Sequence, residues 1–366
     1  MRSWWRWAVT LAVAAATVST PYLVGARPGA PPELTPDQVV AAVMGSADVS
    51  HTGLVESSGT VQVPEADTFS SVATLFGEPN RVRVWWQDGQ HWRLDRIRVT
   101  GETDLFRSPR GTLRWIYESG RVTVSPPTPV RLPDTSDVLP DTLARRVLQG
   151  AEDRELSRLP ARRVAGRSAA GVRLVPSGQQ SSIDHVDVWA DAVTGVPLRV
   201  DLYAGAARPA LSTHYERLEL GPPPAGTLDF DPPPGAEIDV EELPDLAAES
   251  DRFAPYVAPP QLADLPLRAD RPALATGAVG VYGRGPTVLL FLPLRGDAAR
   301  PLREQLATTP GSSTGSAGTA VDLGPISVLV TPARYRGSGF LLAGTVTPQT
   351  LEQAASQLSD LETTSP

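Results

Sequence analysis

Residues 188–203 read Val-Trp-Ala-Asp-Ala-Val-Thr-Gly-Val-Pro-Leu-Arg-Val-Asp-Leu-Tyr, and this stretch constrains the fold more tightly than any other. Val186, Val188 and Ala190 alternate with His185, Asp187 and Trp189, and Leu198, Val200 and Leu202 alternate with Arg199, Asp201 and Tyr203. A period of two is the signature of strands with one buried face, so the stretch predicts an antiparallel pair around a tight turn. Thr194-Gly195 supplies that turn, with Gly195 taking a positive φ, and Pro197 is tolerable at the start of the returning strand, where its missing N–H need not break the ladder.

The rest of the chain is placed relative to this pair. Thr35-Pro36-Asp37-Gln38 combines an N-cap, a proline at the first helical position and a Gln placed for a capping box, which predicts a short helix to about Met44. A strand over 53–63 and a short amphipathic helix over 66–76, with Phe69, Val72, Ala73 and Phe76 on one side, come next. Residues 81–124 read as a meander with Asp88-Gly89 as a hairpin signal and a slip in the pattern between Leu94 and Ile97 that predicts a bulge. A helix over 141–148 ended by Gly150 is expected to lie across a sheet face, and further strands fall at 162–164, 171–175 and 211–220.

Residues 237–270 are acidic and proline-interrupted, with Glu241, Glu242, Asp245, Glu249 and Asp251 close together, and read as a solvated linker. No Asp-x-Asp-x-Asp-Gly loop accompanies those acids, so they give no calcium loop. Beyond them, strands at 277–282, 288–292, 326–330 and 339–346 alternate with helices at 298–307 and from Thr347-Pro348 onward. The expected organisation is therefore a leader and spacer over 1–33, a first domain over 34–236, the linker over 237–270 and a smaller α+β domain over 271–366. The fold class is α+β: an open antiparallel half-barrel sheet capped by helices, then the smaller domain.

Two motifs carry a resemblance. Trp189 and Asp191 followed by Thr194-Gly195-Val196-Pro197-Leu198-Arg199, and Leu228-Asp229-Phe230 followed by Pro232-Pro233-Pro234-Gly235, resemble the exported half-barrel proteins that include the RseB/MucB-type sigma-E regulators and the LolA-type lipoprotein carriers. The resemblance covers roughly residues 36–238, and Gly344-Thr-Val-Thr-Pro-Gln-Thr-Leu351 is similar to the C-terminal domain of the regulators, which the simple carriers lack. It implies a non-enzymatic protein that binds the extracytoplasmic part of a single-pass membrane anti-sigma factor, with a lipid or acyl chain modulating the contact. The rival readings are a lipid or lipoprotein carrier and an accessory factor of a membrane complex.

Composition and leader agree with an envelope protein. Arg2 and Arg6 precede an uncharged run over 7–26, the pattern of an export signal cleaved near Ala26 or retained as an anchor. With a formal charge of -8, a broad basic surface for nucleic acid is not expected. The absence of Cys excludes disulfides, a thiol nucleophile and a zinc-thiolate site.

No catalytic residues, cofactor or metal site are predicted. Gly311-Ser312-Ser313-Thr314-Gly315 matches Gly-x-Ser-x-Gly within a Ser/Thr/Gly-rich stretch that reads as a loop, without the strand-turn-helix setting the motif needs. His51, His91, His185 and His214 are dispersed, and only His185 with Asp187 places two candidate ligands on one strand face. Glu118, Asp141 and Glu152 show no pairing and no sign of burial. The binding candidates are Trp86, Trp92, Trp115 and Tyr117, expected to line the concave face as an acyl-chain pocket or an ordinary core, and Arg334, Tyr335 and Arg336, expected on a partner-binding loop.

Overall fold

The predicted hairpin forms the centre of one half of a twelve-stranded sheet in the computed structural model, which describes residues 34–60, 70–99, 101–127, 133–240, 246–254, 257–268, 277–333 and 338–363. The sheet comprises β1 (His51–Gly59), β2 (Asn80–Asp88), β3 (His91–Arg98), β4 (Gly101–Ser108), β5 (Gly111–Ile116), β6 (Arg121–Ser125), β7 (Leu156–Val164), β8 (Arg167–Leu174), β9 (His185–Asp191), β10 (Pro197–Tyr203), β11 (Leu211–Leu220) and β12 (Glu237–Val240). In space the order is β12-β6-β5-β4-β3-β2-β1-β11-β10-β9-β8-β7. Two sequential meanders are joined where β1 pairs with β11, and β12 adds the parallel pairing, beside β6. The sheet stays open, with β12 and β7 as its edges.

In the hairpin Val200 faces Val188 and Leu202 faces Val186, with a register shift between Pro197 and Arg199. Its turn is organised by Asp191, whose Oδ1 accepts from the Val193 and Thr194 amides and from the Thr194 hydroxyl, while Gly195 adopts φ +75°. Helices α1 (Pro36–Gly45) and α3 (Pro140–Leu148) cover the face that carries Val172, Val188 and Val200, and bury Val39, Val43, Leu143 and Val147 against it. Each such side chain contributes about 1.5–3 kcal/mol on burial. The Gln38 side chain accepts from the Thr35 amide at 3.0 Å, as its spacing predicts. Helix α2 (Ser70–Gly77) packs beside β1 through Leu75 and Phe76; residues 61–69, and with them Phe69, lie outside the described residues.

Between Leu94 and Ile97 the strand runs on without a bulge, and the register shift sits at Trp86/Asp88, in the hairpin end. The alternation breaks there for another reason: Asp95 and Arg96 are both buried, on opposite faces of β3. Glu241, Glu242 and Asp245 lie outside the described residues, while the described parts of 237–270 are also more structured than a solvated linker. Besides β12 they form α4 (Leu246–Phe253) and a small hairpin of β13 (Gln261–Leu262) and β14 (Leu265–Pro266), turned through Ala263 and Asp264 at φ +48° and +62°. Ala258, Leu262 and Leu265 are buried in one cluster with Tyr282, Phe291 and Leu358.

That cluster belongs to a six-stranded antiparallel sheet of β15 (Gly280–Arg284), β16 (Thr287–Leu294), β17 (Ser312–Gly315), β18 (Gly318–Asp322), β19 (Ser327–Val330) and β20 (Gly339–Gly344), ordered β15-β16-β20-β19-β18-β17. Helices α5 (Gly296–Thr308) and α6 (Pro348–Thr363) accompany it. Leu351, Ala354, Ala355 and Leu358 of α6 are all buried, the stripe their spacing predicts. The two sheets are joined at two places. Arg284 donates to both Glu155 carboxylate oxygens and to Gly150 O, and the 180–182 segment bonds to Thr345 and Thr347. Among the described residues no helix is long and apolar enough to cross a membrane, and residues 1–33, where a leader is expected, lie outside them.

Candidate binding site

Trp86 and Trp92 are brought together. They face each other across β2 and β3 with stacked rings 6.2 Å apart, and both are nearly buried on the helix-covered face. They form the floor of a cleft of about 430 Å³ whose walls include Met44 of α1, Thr142, Arg145 and Arg146 of α3, Arg107 of β4 and Arg268, which follows β14. The Trp86 indole N–H is spent on Ala47 O at 2.8 Å, so the ring offers only its apolar surface.

The other two aromatic candidates are elsewhere. Directly opposed residues in an antiparallel ladder share a face, and Trp115 opposes Asp104, which opposes Asp95. That series lies on the far side of the sheet from Trp86 and Trp92, where Phe230 covers both Trp115 and Phe106. The Phe-Pro-Gly ending thus seals the opposite face, and Trp115 is part of a packed patch and not of the cleft. Tyr117 leaves the strand in a 3-10 turn and is exposed. Arg334, Tyr335 and Arg336 lie outside the described residues.

Sequence reasoning missed the charge of the cleft. Four arginines surround its aromatic floor, against the carboxylate of Asp134, which is engaged by the Ser136 amide and hydroxyl. Arg146 bonds Asp137, Arg107 bonds Thr112, and Arg268 bonds Gly283 O. Arg145 lies with its guanidinium 5.3 Å from the centre of the Trp86 ring, and its Nη1 is buried without a hydrogen-bond partner. A buried donor left unmatched costs about 1–3 kcal/mol. A second depression of about 470 Å³, on the other face, includes Arg81 and Arg83, which are already paired to Glu216 and Glu102.

Beneath the cleft lies a polar network that corrects the expectation for Asp141. Its carboxylate is buried, accepts from Tyr215 Oη at 2.6 Å and lies 3.4 Å from His51 Nε2, which is also 2.9 Å from Tyr215 Oη. His51 stacks on Trp86 and bonds Val49 O through Nδ1. Burial pulls the His51 pKa down, yet the Asp141 carboxylate outweighs it and leaves the group above its usual 6.5. Burial pushes Asp141 up, yet His51, with Arg145 and Tyr215, holds it below 3.8. Burial and the Asp141 charge drive Tyr215 far above 10. With His51, Asp141 and Tyr215 all sealed from solvent, the network ties α3 to β1 and β11 and exposes no reactive atom.

The remaining candidates are not assembled for chemistry. Asp187 is held by Arg173 through both oxygens, and His185 is stacked on Tyr203 at 4.2 Å, so these two do not form a ligand pair. Ser313 is exposed on β17, between a preceding helix and a following strand, the reverse of the order a nucleophile elbow requires. Glu118 accepts from the Glu102 amide, and Glu152 pairs with Arg154 and Arg284.

No protein-family model and no curated protein matches the chain. Among solved structures, it is similar to MucB in complex with MucA(peri), with 18% identity over 88% of this chain and 97% of that one and a TM-score of 0.49. The MucA/MucB complex of Pseudomonas aeruginosa gives 18% identity, 87% and 95% coverage and a TM-score of 0.48. A LolA superfamily protein from Nitrosomonas europaea gives 9%, 54% and 99%, and 0.24. The chain is similar to MucB. Its large open sheet with helices on one face, followed by a smaller sheet, is the arrangement expected of a LolA-like half-barrel with a second domain.

Proposed function

We propose that the chain is an exported, non-enzymatic binding protein whose cleft over Trp86 and Trp92 takes an anionic amphiphile and whose C-terminal part docks a membrane-anchored partner. The observation that carries this reading is the pairing of an aromatic floor with four arginines, one of them with a buried, unmatched donor. An acyl chain is attracted to the first and a phosphate or carboxylate headgroup to the second. The partner implied by the sequence resemblance is the extracytoplasmic part of a single-pass anti-sigma factor. The proposed division of labour, with 34–236 for the ligand and 271–366 for the partner, is supported by the separate apolar clusters of the two sheets.

Titration of residues 34–366 with lysophosphatidylglycerol and with lysophosphatidylcholine, followed by tryptophan emission, tests the ligand half. The anionic lipid is expected to bind at least about tenfold more tightly, and Arg145→Gln and Arg107→Ala to erase the difference. Equal binding of the two lipids, or unchanged preference in both variants, refutes the cleft as the site.

A further inference from the structure

On the sheet face away from the cleft, Asp95 of β3 and Asp104 of β4 stand directly opposite one another, and Glu102 lies two residues along β4 on the same side. Asp95 and Asp104 are buried and Glu102 is reachable from solvent. One carboxylate oxygen from each lies within 4.8 Å of the others. Three oxygens at that limiting separation share a centre about 2.8 Å from each, a little beyond a calcium–oxygen distance of ~2.4 Å, so a small inward turn of Glu102 brings all three onto one ion.

The charges around this group do not balance. Arg93 donates to both oxygens of Asp95, at 2.7 and 3.0 Å, and to Asp104 Oδ2 at 2.9 Å. It is held in place between Trp85 and Phe106. Arg83 reaches Glu102 at 3.5 Å from a largely exposed position. Two buried carboxylates therefore share one guanidinium, and Asp104 Oδ1 is buried with no hydrogen-bond partner although its side chain is only 10% exposed.

We propose that Asp95, Glu102 and Asp104 form a calcium site, with Asp104 Oδ1 as an inner ligand and Glu102 as the solvent-side gate. Three carboxylates without nitrogen or sulfur select a hard cation. Burial fixes the Asp95 and Asp104 side chains while Glu102, held among the described residues only by the exposed Arg83, can adjust, a mixture that suits the variable coordination of Ca²⁺ better than the strict octahedron of Mg²⁺, and water completes the shell. Arg93 positions the two aspartates without touching the ion. With three protein ligands, affinity falls on the order of 10⁻⁴–10⁻³ M, the range of extracellular calcium modules.

Terbium reads this site directly, because Trp115 sits opposite Asp104 in the ladder and can sensitise its emission. Tryptophan-excited terbium luminescence of residues 34–366 is expected, displaced by millimolar Ca²⁺ and weakened at least about tenfold in affinity by Glu102→Gln and by Asp104→Asn. Glu102 is partly exposed, and Asn has the shape of a protonated Asp104, so both variants should fold; circular dichroism checks this. Ca²⁺ should raise the melting temperature of the parent and of neither variant. Emission that Ca²⁺ does not displace, or that both folded variants retain at parental affinity, overturns the proposal.

Discussion

Replacing Gly195 by Ala tests how the central turn and helix α1 depend on each other. At φ +75° an L-residue pays about 1–2 kcal/mol for the left-handed conformation. The added Cβ would also lie 2.3 Å from Ala42 O and 2.6 Å from Ala42 C, about an ångström short of an ordinary 3.4 Å contact. Those are backbone atoms of α1, so relief requires the helix to lift, and Val39 and Val43 on its buried face lift with it. A gap of that size forfeits a quarter to a half of each dispersion contact along the seam. The expected loss is about 2–4 kcal/mol in urea unfolding, with faster amide exchange in α1, β9 and β10 and unchanged exchange in β16 and β20. Gly205→Ala is the control: φ is +68° there, but nothing lies within 4 Å of the added carbon, so about 1–2 kcal/mol is expected. If the two variants lose equal stability, the contact with α1 contributes nothing.

The buried network under the cleft predicts a pH-dependent cost. His51 titrates above 6.5 in the folded chain, so its contribution is complete below that pH and lost as pH rises through the folded value; Asp141, held below 3.8, contributes above that pH and loses its share in acid. Asp141→Asn should therefore cost about 3–5 kcal/mol near pH 6, and its gap from the parent should narrow in alkali; a gap independent of pH would count against the ion pair. Glu155 is opposed by burial but held at about 2 by Arg284 and by the amides of Glu152 and Ser177, so the stability it adds is full above pH 4.5 and fades as pH falls from there toward about 2. Arg284→Gln should remove about 1–3 kcal/mol at neutral pH, raise the Glu155 titration seen by NMR and speed exchange at 180–182; an unmoved Glu155 titration would show that the latch does not hold it.

The sheets were legible in the sequence wherever one face alone is apolar. Strand β2, whose residues alternate between buried and more exposed, satisfies that condition, and so does the stripe of α6. Reading failed where both faces are occupied. Asp95 and Arg96 are both buried, so the apolar rhythm breaks without any bulge, and the parity that carries Trp115 to the far face cannot be counted reliably across three turns. The β17–β18 hairpin was hidden by its Ser, Thr and Gly content, which in isolation favours a loop, although Thr319 and Val321 are buried. The polar network was unreadable for a different reason: Tyr215 is 74 residues from Asp141 and 164 from His51, and no local spacing relates them. A signal did exist for the cleft, since Arg145 and Arg146 follow the apolar face of a helix expected to lie across the sheet.

The open sheet leaves two borders, and each is built to refuse another strand. β7 carries Pro160, which has no amide to offer, and exposed Arg158, Arg162 and Arg163, with a register shift between Leu159 and Arg162 that kinks the border. β12 is four residues long, and its Glu237 and Asp239 meet Arg121 at the rim. Two copies brought together at their β7 borders therefore face each other with like charges and an interrupted backbone. Twelve strands can lie open in one molecule without templating a fibril from the next.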